Sequence, residues 1–106
     1  MSSFVVLGQT ITVDTIYDPA SIPRTWETTA MGGFDLGRQS VFVKGDLGSD
    51  QTAETLLHEA LHAIFSLGNI TPLCRKGNDE PIVNALAPQL LHFIRQNPEF
   101  IGGLAE

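Results

Sequence analysis

The stretch that most limits what this chain can become is Gln51 to Leu67, an amphipathic helix by its spacing. Ala53, Leu56, Leu57, Ala60, Leu61 and Ile64 fall at i, i+3, i+4, i+7, i+8 and i+11, a stripe that needs an apolar surface to lie on. Two of the three histidines in the chain, His58 and His62, sit in the same segment four positions apart. Such positions share one face of a helix, one above the other. That face lies away from the centre of the stripe, near Thr55. Glu59 follows the first histidine and is expected to project between the two rings and solvent. His58-Glu59-Ala60-Leu61-His62 is an H-E-x-x-H arrangement, in which two imidazoles hold one zinc ion and the glutamate acts as general base.

The remaining residues must therefore supply a third ligand and a cleft. With 106 residues there is room for one domain, and an apolar fraction of 42% supports a single modest core. A metal bound by so small a fold would also add to its stability. The formal net charge is −6, and the six basic residues are scattered. Without a basic stripe or aromatic-basic interleaving, direct nucleic-acid binding is not expected. One cysteine, Cys74, forms no internal disulfide and fits a reducing compartment. Met1 to Gly8 has no positive leader region and too short an apolar run for a signal peptide. No window has the apolar length of a membrane span. The expectation is a soluble cytoplasmic protein, with no membrane association.

Along the chain, Phe4 to Leu7 and the alternating run Thr10 to Ile16 have β-branched strand chemistry. Gly8 is a turn between two strands or a bulge in one, and the hairpin is preferred. Asp18 to Met31, with Pro19, Pro23 and Trp26, reads as a loop in which Trp26 fills a hydrophobic gap. Phe34 and Leu36 form a short run, Gly37-Arg38-Gln39 a turn, and Ser40 to Lys44 the clearest strand. Ser49 or Asp50 is expected to cap the first helix, and Gly68-Asn69 to stop it. Ile70 to Asn78 connects to a second helix that begins near Asn78 or Asp79, with Pro81 in its first turn. Ile82, Val83, Leu86, Ala87, Leu90, Leu91 and Ile94 make its stripe. Pro88 should kink it, and Asn97-Pro98 should end it. The predicted fold is α+β: a small antiparallel sheet of three to four strands packed on two helices, as a minimal zincin-like fold. It forms a single domain over 1–106, with 1–48 mainly β, 49–98 two helices and 99–106 a fraying tail.

A catalytic zinc ion usually has three protein ligands and one open position. The metzincin spacing is absent, because Phe65 and Gly68 stand where that pattern has glycine and histidine. His92 lies among leucines further along the second helix and is read as structural or solvent-facing. Glu80, eighteen positions beyond His62 at a helix start, is the better third ligand, and Asp79 is its rival. A helix N-terminus favours the ionised carboxylate. Asn84, one turn on, could hydrogen-bond the outer nitrogen of a ligating histidine. Cys74 is read as a packing residue, and Tyr17 as a possible oxyanion donor that nothing in the sequence positions.

Leu57 to His62, followed by Glu80-Pro81-Ile82-Val83-Asn84-Ala85-Leu86-Ala87, resembles the gluzincin pattern. More closely, it is similar to the small bacterial and phage-encoded metallopeptidases related to the ImmA/IrrE family. The resemblance runs from Thr52 to Pro98. It implies that His58, His62 and Glu80 are zinc ligands, that Glu59 is the general base, and that Asn84 matches the asparagine of the second-helix segment. The implied activity is zinc-dependent hydrolysis of a peptide bond in a protein or peptide substrate. The strand Val41 to Lys44 is then expected to be an edge that holds substrate in extended form. The alternative is a zinc-binding interaction protein without turnover, acting on a host or phage regulator. A zinc-dependent nuclease is disfavoured by the acidic charge.

Overall fold

The computed structural model describes residues 3–21 and 31–106. Trp26 and most of the loop expected over Asp18 to Met31 lie outside that range. The fold is α+β, as expected: a four-stranded sheet and three helices. The strands are β1 (Ser3–Val6), β2 (Gln9–Ile16), β3 (Gly32–Asp35) and β4 (Ser40–Lys44). The helices are α1 (Ser49–Leu67), α2 (Glu80–Gln96) and α3 (Pro98–Leu104). Short 3-10 turns occupy Pro19–Ser21, Thr71–Leu73 and Arg75–Gly77. Among the described residues no helix is long and apolar enough to cross a membrane.

Phe4–Val6 and Gln9–Ile11 close a hairpin through Leu7 and Gly8, both at positive φ (49° and 80°). A two-residue loop with both φ values positive matches the right-handed twist of its strands, which explains the glycine. The second hairpin joins β3 to β4 through Leu36 to Gln39. Asp35 Oδ1 accepts the Arg38 N–H at 3.1 Å there, and Gln39 has φ 50°.

The sheet differs from the antiparallel arrangement expected. Its order is β1-β2-β4-β3, and β4 runs parallel to β2. The chain leaves β2, passes one strand position outward and returns as β3. β4 then inserts between the two. Parallel pairing arises because β3 supplies the antiparallel return. The seam is held by the Thr12 N–H donated to the Gln39 carbonyl (3.0 Å) and the Gly45 N–H to the Ile16 carbonyl (2.9 Å). β4 is therefore central, not the edge the sequence suggested. Val41, Phe42 and Val43 are all buried to 2% exposure or less. Burial of each contributes about 1.5–3 kcal/mol.

α1 lies between the sheet and α2. Ala63 packs with Val6, Ile11 and Val41 on the sheet side. Leu61 and Phe65 pack with Cys74, Val83 and Ala87 on the other. Two packing surfaces rotate the buried face away from the single stripe read from the sequence. Thr55, Glu59 and Ala63 are buried, whereas Ile64 is 40% exposed. Gly48 occupies the N-cap, in place of Ser49 or Asp50, and makes no side-chain cap bond. α2 continues through Pro88, with Val83 and Ala87 as its buried residues. Residues 98–104 are helical, not a fraying tail. Pro98 sits in the first turn, and Phe100 stacks edge-on against Phe93 with ring centroids 5.9 Å apart.

The position of β4 sets a test. In the parallel ladder the Val43 N–H faces β2, so Val43→Pro removes a central bond and clashes within the sheet. The variant is expected to lose its cooperative unfolding transition in denaturant. A variant that still unfolds cooperatively at the wild-type midpoint would contradict the central placement.

Candidate metal centre

α1 projects both histidines into a cleft of about 940 Å³ walled by β3, α1 and the start of α2. Its lining includes Gly32, Phe34, Thr55, His58, Glu59, His62 and Glu80. The Nε2 atoms of His58 and His62 lie 3.2 Å apart, and the rings meet edge-on at 4.8 Å between centroids. Glu80, in the first turn of α2, divides its carboxylate between them. Oε1 is 3.1 Å from His58 Nε2, and Oε2 is 2.7 Å from His62 Nε2. The Glu80 side chain remains 49% exposed. Its backbone N–H is taken by the Asn78 side-chain oxygen at 3.2 Å.

The outer nitrogen of His62 has a different partner from the one expected. Nδ1 is 3.1 Å from Asp79 Oδ1, and Asn84 makes no hydrogen bond to either ring. Asn84 stands exposed in the cleft wall, one turn beyond Glu80. Asp79 meets the far side of the ring, so it does not share the Nε2 locus as a rival ligand would. Tyr17 is 79% exposed, lies against Gly45 and is not among the residues lining the cleft. His92 is exposed on α2, and Cys74 is buried in the α1–α2 core, its thiol directed to the Ile70 carbonyl.

Glu59 departs most from the sequence reading. It does not face solvent; it is 6% exposed. The reason is β3, which crosses α1 closely at Gly32. A Cβ at Gly32 would come within 2.6 Å of Thr55 Cγ2 and 2.7 Å of the Phe42 carbonyl, with Glu59 Oε2 at 3.4 Å. Only glycine lets the strand pass so near. No hydrogen bond to the Glu59 carboxylate is made among the described residues, yet no buried side-chain oxygen there is sealed without a partner. Its oxygens therefore open on the cleft. Burial pushes the carboxyl up to about 7; nearby His62 opposes the rise, and Glu80 and Asp79 reinforce it. His58 is shifted down, chiefly by burial and further by His62, against the pull of Glu80.

This set of groups can bind a metal ion: ligand atoms of His58, Glu59 and His62 lie within 4.8 Å of one another. The hydrogen-bonding pattern sharpens the point. A neutral His62 carries one proton. With the proton on Nδ1, the Nε2 lone pair faces Glu80 and His58; with it on Nε2, the Nδ1 lone pair faces Asp79. Either neutral tautomer sets a lone pair against a carboxylate oxygen, and a cation at Nε2, whether a proton or a metal ion, removes the conflict. Searches against protein-family models, curated proteins and solved structures returned no match.

The buried Glu59 predicts a pH-dependent stability in metal-free protein. Its folded value of about 7 lies above its ordinary 4.5, so the folded state keeps a proton that the unfolded chain gives up. The favourable contribution is complete below pH 4.5 and is lost as pH rises through 7. Removing the charge with Glu59→Gln should raise metal-free stability at pH 8 by about 1–3 kcal/mol, and by little at pH 4.5. Denaturant titrations at both pH values measure this. An equal gap at the two would mean that the carboxylate is not desolvated.

Proposed function

We propose that this chain is a zinc-dependent metallopeptidase, related to the ImmA/IrrE enzymes, that hydrolyses a peptide bond in a protein substrate within an intracellular compartment. The observation that carries the reading is the convergence of two imidazole Nε2 atoms and the Glu80 carboxylate at 2.7–3.2 Å. Zinc ligands at about 2.0–2.1 Å stand about 3.3 Å apart at tetrahedral angles, so the donor set fits that ion. His58, His62 and Glu80 would hold it, leaving one position open to the cleft. Bound there, zinc supplies Lewis acidity, making a water easier to deprotonate and a carbonyl easier to attack.

The other roles belong to the chain. Glu59 opens on the same cleft, carries no hydrogen bond among the described residues, and takes the proton of the attacking water. It then returns that proton to the nitrogen of the leaving amine as the C–N bond breaks. The burial of Glu59 supports turnover over the non-catalytic alternative. A carboxyl group that exchanges a proton near neutrality is what a general base needs.

Substrate binding is assigned to β3, replacing the expectation for β4. The Lys44 N–H donates to the Met31 carbonyl at 2.9 Å, and Met31 stands opposite Lys44 in the register. Bonding alternates along an antiparallel ladder, so Gly32 and Phe34 turn their N–H and C=O groups away from β4. Among the described residues nothing pairs with this edge, which lies beside the metal ligands and is suited to an extended peptide.

Metal analysis of the full chain tests the ligand set. About one zinc per chain is expected, lost in His58→Ala and Glu80→Ala. Glu59→Gln should retain it while cleavage of a peptide library falls by roughly 10²–10⁴-fold. Full zinc occupancy in Glu80→Ala would remove the third ligand, and zinc bound by a wild type that cleaves nothing would favour the interaction protein. For the edge, Phe34→Pro deletes an outward N–H that β4 does not use. Cleavage should fall well below that of Phe34→Ala with zinc content unchanged. Equal cleavage by the two variants would show that β3 does not pair with substrate.

A further inference from the structure

We propose that Asp79, braced by Thr71, is the positioning residue of the centre: it holds His62 as the Nδ1–H tautomer and so aims the Nε2 lone pair at the metal. The inference rests on the metal-binding reading of the same site and adds to it the device that orients one ligand.

Asp79 is committed on both oxygens. Oδ1 lies 3.1 Å from His62 Nδ1, and Oδ2 accepts the Thr71 hydroxyl at 3.2 Å. Its side chain is only 14% exposed, although it stands at the N-cap of α2. An aspartate at that position ordinarily accepts N–H bonds from its own first turn. Here it makes no side-chain cap bond, and the neighbouring Asn78 takes the Glu80 N–H instead. Asp79 is thus diverted from the helix end to the histidine. Thr71 lies in the 3-10 turn Thr71–Leu73, whose flanks are tied by the Leu73 N–H to the Ile70 carbonyl and the Cys74 N–H to the Thr71 carbonyl. The brace therefore has a fixed base in the α1–α2 connection.

The two histidines differ in this respect. Among the described residues nothing hydrogen-bonds Nδ1 of His58, whereas His62 is held from behind. A carboxylate on the outer nitrogen fixes the tautomer, orients the ring and raises its basicity as a ligand, and losing one typically weakens metal binding 10–100-fold. Asp79 lines the same cleft, and its one hydrogen-bond-range contact with the two histidines is to the outer nitrogen of His62.

The test measures zinc affinity of the full chain by competition with a chromophoric chelator, alongside thermal unfolding of the metal-free protein. Asp79→Ala should raise the zinc Kd about 10–100-fold. Asp79→Asn keeps an acceptor for the Nδ1–H and should recover part of that loss. Thr71→Val touches neither cap nor histidine and should raise the Kd a few-fold, with metal-free unfolding close to wild type. It also keeps the inference testable if Asp79→Ala fails to fold. Wild-type affinity in both Asp79→Ala and Thr71→Val would overturn the brace. So would Asp79→Asn binding as weakly as Asp79→Ala, which would assign the effect to charge rather than to orientation. A wild type that binds no zinc would instead overturn the metal reading on which the brace depends.

Discussion

Two imidazole nitrogens and a carboxylate meet within 3.2 Å of one another where α1 faces the start of α2. Polar groups are held this close only by a shared proton or cation, or by the packing beneath them. Here the packing is identifiable. Leu61, Phe65, Cys74, Val83 and Ala87 form one apolar cluster between the helices. Val83 is three residues after Glu80 and Leu61 one before His62, so the cluster sets the spacing of the polar groups directly above it. The centre is held in place by a few buried side chains beneath it.

The same arrangement separates two glutamates by environment. Glu80 keeps its side chain 49% exposed, with its carboxylate oxygens 3.1 and 2.7 Å from the two rings. Glu59 is buried against β3 with no hydrogen bond among the described residues, and its carboxyl is pushed up to about 7. One fold thus presents an anion suited to hold a cation and a carboxyl group able to exchange a proton near neutrality. Gly32 sustains the difference, since a side chain there would drive the strand off α1.

Much of this was legible wherever the signal is local. The 58–62 spacing, the helix stop at Gly68, the first hairpin and Glu80 at a helix start all depend on residues within a few positions of one another. What escaped depends on how distant elements meet. The burial of Glu59 requires β3 to cross α1, and no spacing within 51–67 encodes that crossing. The parallel seam depends on strand order, which alternation cannot report. Asp79 was legible as an acid near the site, but its direction towards the outer nitrogen of His62 follows from the angle between two helices. α3 was missed because Gly102 and Gly103 argue against helix; the Phe100–Phe93 contact overrides that propensity.

The strand order also bears on how the protein reaches this state. The sheet is two local hairpins, β1–β2 and β3–β4, joined by a single parallel seam between β2 and β4. Each hairpin closes a short loop, whereas the seam brings together residues such as Thr12 and Ser40, far apart in sequence. Docking of the two hairpins is then the slow, long-range event, and its alignment is inherited by everything built on it. A slip of one residue at the seam would exchange the two faces of β4, setting Phe42 where Val41 and Val43 now pack, and carry Gly32 off Glu59. Misaligned molecules would keep their secondary structure and lose their chemistry. In this small fold, fidelity of assembly and competence of the site are one condition.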